Sequence, residues 1–323
     1  MVPEIHAGGF GACTLVSRQP VMHSFRGNRH SSLVARMGSA HQTPRSRPFY
    51  EEITSTADAS FARFYAIYAD LFPLPDEREP PEAFERIRAL NEDADMQKRL
   101  GPWREIVAGI RLVQDGPMIG GHVFGVTTSP AHEAFGCQAS VQAIYTFFER
   151  GARGRGALED AKRYMTEKAL QTFRLESGNG SMPPLVFFEV NNPTRMTPAQ
   201  IAEDKARSGL DPHRRYVFWK CNGFAPLDFS YVQPRLRPDA EPVRYLDLFC
   251  TAGMAGAIPV ELLAAHLHAF VSFSVLKGRD ASSDPDFASM AKTFRPGTMI
   301  SFVDDADPEQ QRIAMLARAA RKS

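Results

Sequence analysis

The chain has 323 residues, 43% hydrophobic and 23% charged, with a formal net charge of +1, a balance that excludes a fibrous protein or one disordered throughout. No window reaches the roughly 18 uncharged apolar residues of a spanning helix, and no apolar core with a cleavage pattern opens the chain. Cys13, Cys137, Cys221 and Cys250 have no CxxC or metal spacing, which predicts reduced core thiols, no metal site and a cytoplasmic setting.

Residues 1–48 carry six arginines, no lysine and one acid, Glu4, so the rest of the chain is mildly acidic. Rich in Ser, Gly and His and without a sustained period, this stretch is expected to be a disordered extension rather than a nucleic-acid arm or targeting peptide. Order is expected from about Phe49. In "ASFARFYAIYADLF", Phe61, Phe64, Tyr65, Tyr68, Leu71 and Phe72 share one helical face, ended by Pro73 and Pro75. A second helix is expected from Pro81. The run "REIVAGIRLVQDGPMIGGHVFGVTTS" reads as two strands joined at Asp115-Gly116, and "ASVQAIYTFF", 139–148, as a third.

The stretch "FFERGARGRGALEDAKRYM", 147–165, then turns through a glycine-rich loop into a helix with Leu158, Ala161, Met165, Ala169 and Phe173 on one face and Glu159 and Asp160 in its first turn. Loop N–H groups at the positive end of a helix, with arginines around them, make a site for a phosphate or pyrophosphate. A plain glycine turn with solvated arginines is the competing reading. Further along come a strand in "PLVFFEVNNP", a capped helix at Thr197-Pro198, a helix ending at Asn222-Gly223, a strand in "PVRYLDLFC" and an apolar helix with Leu262, Leu263, His266, Leu267 and Phe270 inward. His266 and His268 lack i,i+4 spacing and a third ligand.

GxxxxGK(S/T) is absent, as is a GxGxxG in a βαβ unit. The strand, arginine-glycine loop and helix instead resemble the signature of the GNAT superfamily of acyl-CoA-dependent N-acyltransferases, (Gln or Arg)-x-x-Gly-x-(Gly or Ala), which binds the coenzyme A pyrophosphate. Arg153 to Leu158 supplies the Arg and first Gly but ends on Leu158; the register Gly151 to Gly156 has both glycines but no leading Arg or Gln. "RRYVFWKCNGFAPLDFSYVQPRL", 214–236, resembles the family's closing helix, Gly-Phe and strand, so the resemblance covers roughly 55–236.

The resemblance implies an α/β (α+β) fold: a GNAT-like mixed, mostly antiparallel sheet with helices on both faces, an acyl-CoA-binding domain over 49–240, and a C-terminal strand-helix extension over 241–323 packed on it. Acetyl-CoA or a longer acyl-CoA would be the co-substrate and a small-molecule or protein amine the acceptor, with no membrane or nucleic-acid partner. Two strands, 139–148 and 184–192, would splay around the pantetheine arm. Arg153, Gly154, Arg155, Gly156 and Ala157 would hold the pyrophosphate, with Tyr145, Phe147, Asn191 and Asn192 along the arm; the asparagines could equally form an Asx turn before Pro193. For the base, Glu189 and Glu149 are the carboxylates nearest the splay, with Glu133 and a water relay as competitors; Glu189 is the expected one, against a solvated or salt-bridged strand role. The family's acid is a Tyr where this chain has Trp219, so Tyr216 is the candidate substitute, against a plain packing role. A non-catalytic acyl-CoA-binding protein is the alternative function.

Overall fold

The computed structural model describes residues 47–72, 78–152, 157–175, 182–235, 241–251 and 256–303. The proposed extension over 1–48 lies outside them, apart from Arg47 and Pro48. Runs of β-branched and aromatic residues build one sheet of β1 (Phe49–Glu52), β2 (Trp103–Arg111), β3 (Met118–Thr127), β4 (Ser140–Phe148), β5 (Leu185–Asn191), β6 (Ala225–Pro226) and β7 (Leu246–Cys250). The order across it is β1-β2-β3-β4-β5-β7-β6, and only β4 and β5 run parallel. A separate ribbon pairs β8 (Ala257–Pro259) with β9 (Met299–Ser301). The fold is thus the expected mixed, mostly antiparallel one.

Helices cover both faces. On one lie α1 (Ala59–Leu71), α2 (Pro81–Glu92), α3 (Ala94–Leu100), α4 (Pro130–Phe135), α8 (Val260–Phe270) and α9 (Pro285–Ala291), with Phe64 and Tyr68 of α1 against Tyr145 and Phe147, and Leu262, Leu263 and Phe270 of α8 in a core shared with Phe187 and Leu248. On the other, α5 (Ala157–Thr172) and α7 (Pro212–Cys221) bury Leu158, Met165, Tyr216 and Trp219 against Phe124, Val141, Phe188 and Phe249. Next to them lies α6 (Pro198–Ser208).

Local signals place the helices around the site. Thr197 and Gln200 form a reciprocal capping box with Pro198 in the first turn of α6. Asp211 accepts from His213 and Arg214 to start α7, and Gly223, at φ 80, reverses the chain so that Phe224 returns to the core. The C-terminal segment is more than an attachment: β7 inserts between β5 and β6, and α8 runs on into a π-helical turn over Val271–Val275.

Behind β4 a chain of buried polar groups crosses the core. Ser129 contacts His132 Nδ1 at 2.7 Å, His132 Nε2 meets Ser140 at 2.7 Å, Ser140 meets His266 Nδ1 at 2.8 Å, and His266 Nε2 meets Gln142 Oε1 at 3.0 Å. Because the Gln142 oxygen can only accept, His266 donates from Nε2, and the remaining bonds follow: Ser140 gives its proton to His266 and takes one from His132 Nε2, and Ser129 donates to His132. Burial holds both rings neutral, depressing His132 to about 4 and His266 well below its ordinary value.

Candidate functional site

Strands β4 and β5 pair through three positions, Ser140 with Leu185, Val141 with Val186 and Gln142 with Phe187, and their ladder then ends. On its other edge β4 has a bulge: Val123 of β3 faces Tyr145 and Phe124 faces Ala143, so Ile144 has no place in that register. Alternation breaks there. Ile144 and Tyr145 both turn toward the α1 side, whereas Ala143 packs with the α5 side. The parted strands open a cleft of about 570 Å³, counted with its mouth. Leu158, Lys162, Met165, Trp219 and Phe224 line it from α5, α7 and the turn beyond; Phe72, Ile144, Tyr145 and Glu189 line it from the other side.

The cleft is largely apolar, so its few polar groups decide what it can do. Glu189 is partly buried, and burial pushes its carboxyl up to about 7 against the hydrogen bond it accepts from the Tyr231 hydroxyl at Oε1. Gln233 Nε2 reaches Oε2 at 3.4 Å. A carboxyl poised near neutrality is half ionised at neutral pH and can both take and return a proton. Lys162 is committed to the scaffold: its ammonium lies 5.1 Å above the Phe224 ring, pairs with Glu159 at 2.6 Å and donates to the Asn222 carbonyl.

The sequence-derived residues divide between this cleft and the surrounding scaffold. Glu189, Tyr145 and Trp219 line the cleft, with the Tyr145 ring at 5.0 Å from Tyr68 of α1. Phe147 instead packs in the α1 core. Tyr216 donates to Asp247 Oδ2 at 2.5 Å in a buried cluster where Asn192 also donates to Asp247 at 2.8 Å and Arg195 pairs with its other oxygen at 3.1 Å. Asn191 donates to Asp204 at 3.0 Å, which also pairs with Arg215, and Asn192 Oδ1 accepts from Thr194 in the Asx turn before α6. The strand-end asparagines and Tyr216 therefore face carboxylates and a turn, and none of the three is a lining residue of the cleft.

Glu149 pairs with Arg63 at the surface and Glu133 is exposed on α4, so neither competes with Glu189 for the cleft. Arg153, Gly154, Arg155 and Gly156 lie outside the described residues; Ala157 is the first residue of α5. Cys137 is buried as expected, with its thiol pushed up to about 12 by burial, but Cys221 is exposed, because it is the last residue of α7 and the apolar face there ends at Trp219. Tyr231 is the site residue that local reading missed: it lies 42 residues from its partner in sequence.

No protein-family model and no curated protein sequence matches the chain. Among solved structures, the fold is similar to one assigned as a GNAT-family acetyltransferase of Bacteroides thetaiotaomicron, with 14% identity, TM-score 0.43 and coverage of 70% of this chain and 97% of that one. It is also similar to an acetyltransferase from Agrobacterium tumefaciens, with 16% identity, TM-score 0.30 and coverage of 67% and 98%, and to one assigned as an acyl-CoA N-acyltransferase of Klebsiella pneumoniae, with 14% identity, TM-score 0.30 and coverage of 64% and 97%. At these values the likeness carries no weight for function. No helix of the described residues is long and apolar enough to cross a membrane, and no group of potential metal ligands occurs among them.

Proposed function

We propose that the chain is an acyl-CoA-dependent N-acyltransferase that moves an acetyl or longer acyl group to an amine. The observation that carries this reading is the parting of β4 and β5 after Gln142–Phe187, with a carboxyl held near neutrality in the resulting cleft. An extended amide-bearing arm has the shape and hydrogen-bonding pattern to lie between parted strands as an added strand does. The loop 153–156 and the N-terminus of α5 would take its pyrophosphate. Backbone donors of β4 beyond Gln142 would hold the thioester oxygen as negative charge develops on it. The Glu189 carboxylate takes the proton of the attacking amine while the C–N bond forms, the C–S bond then breaks, and the departing thiolate is protonated by Glu189 or by solvent.

Trp219 supports a second reading, a protein that binds acyl-CoA without turnover, because an indole in the cleft has no acidic proton to give a thiolate. The full chain titrated with coenzyme A by calorimetry, and then assayed for thiol release from acetyl-CoA with a panel of primary amines, separates the two. Binding with amine-dependent thiol release is the expected result. Binding without release from any amine would favour the second reading, and absence of binding would defeat both.

A further inference from the structure

We propose that Tyr231 is the positioning residue for Glu189, its hydroxyl fixing one carboxylate oxygen so that the other is presented to the proton-bearing substrate. The proposal rests on the reading of Glu189 as the base and adds a residue that neither local sequence nor the resemblance pointed to.

The segment carrying Tyr231 follows β6 without being a regular strand, yet its backbone is pinned at both ends. Leu227 N–H donates to the Leu248 carbonyl at 2.9 Å, and Gln233 and Val243 exchange N–H···O bonds at 3.0 Å. Between these pins, the Tyr231 ring is 1% exposed in the core that α8 shares with β5 and β7. A ring so held has one place for its hydroxyl, and that place is Glu189 Oε1. Since a neutral phenol has a single proton and gives it to Oε1, Oε2 has only the 3.4 Å contact from Gln233 Nε2. The carboxyl is therefore oriented by one strong bond and one weak one, with its second oxygen free to exchange a proton.

Few other groups compete for control of this carboxyl. Tyr231 is the titratable group in contact with it; β7 presents Leu248 across the register, and the other titratable side chains lining the cleft are Tyr145 from β4 and Lys162 from α5. Burial works against ionisation, whereas the phenol hydrogen bond works for it. Removing the phenol oxygen should leave packing nearly unchanged and make the carboxyl harder to ionise. A residue serving only as core filler would have no such effect.

The test follows the Glu189 carboxyl itself, by pH titration of its protonated C=O stretching band in infrared spectra of the full chain, assigned by loss of the band in Glu189→Gln. The wild-type midpoint is expected near the value of about 7 that burial sets. Tyr231→Phe should raise it by about one pH unit, the scale of a hydrogen bond to a charged acceptor. Replacing Tyr231 by 3,5-difluorotyrosine, a stronger donor of nearly the same shape, should lower it, and this variant decides the matter if Tyr231→Phe fails to fold. A midpoint unmoved by both changes, or one that falls in Tyr231→Phe, overturns the proposal. A midpoint that moves as expected while no amine is acylated defeats the enzyme reading and leaves the pair standing. Acyl transfer lost in Glu189→Gln with a midpoint indifferent to Tyr231 does the reverse.

Discussion

Glu189 binds its proton more tightly in the folded chain than in the unfolded one, because burial lifts its carboxyl from the ordinary 4.5 to about 7. The stability this adds is complete below the unfolded value, declines as pH rises through the folded one and is gone above it, a difference on the order of 3 kcal/mol before allowance for partial exposure. Glu189→Gln should therefore melt higher than wild type above about pH 8 and gain little near pH 5, in thermal scans at both values. In acyl transfer the same variant should be far slower than Tyr216→Phe, and its rate should recover at higher pH, where more amine is already neutral; a wild-type rate at neutral pH would remove Glu189 from the mechanism. Tyr216→Phe has a different consequence. It deprives buried Asp247 of a donor at 2.5 Å, and urea unfolding should show a loss of about 2 kcal/mol with transfer retained. Ser140→Ala should cost about 2–4 kcal/mol, because it strips partners from two buried imidazoles at once.

At the scale of elements, legibility followed the range of the signal. The Thr197-Pro198 cap and the Asn222-Gly223 stop act within a few residues, so the start of α6 and the end of α7 could be read; α5 was carried by its apolar period. Helices α3, α4 and α9 have seven residues or fewer, less than two turns, and no period can establish itself over that length. The bulge at Ile144 and the order β5-β7-β6 depend on which strand comes alongside, and nothing within one segment encodes that. The same range rule separates Glu189, which a carboxylate in the expected splay made readable, from Tyr231, which reaches it across the fold. One glycine shows such a distant contact acting on sequence: a Cβ on Gly125 would lie 1.7 Å from the Trp103 ring. Gly125→Ala should cost about 1–3 kcal/mol or more in urea unfolding, and the cost should shrink in a Trp103→Leu background, where the ring no longer lies across β3.

For the whole molecule, the position of β7 makes the chain end indispensable to the sheet. Phe187 to Asn191 pair with Cys250 to Leu246, and β6 is attached to β5 only through β7. A chain cut before Pro242 would expose β5 along the edge opposite the cleft and remove the α8 core, so it should lose cooperative unfolding in circular dichroism melts; a truncated chain melting like wild type would show that β7 is dispensable. The two tryptophans also fall on opposite faces of this sheet. Trp103 is sealed in the α8 core beside Phe270 and Phe273, and Trp219 stands in the cleft wall with Phe188 at 4.4 Å. The chain consequently carries its own optical gauge: emission from Trp219 should change as coenzyme A enters, Trp219→Phe should darken that response, and Trp103→Phe should leave it intact, so occupancy of the cleft can be followed by light with no label attached.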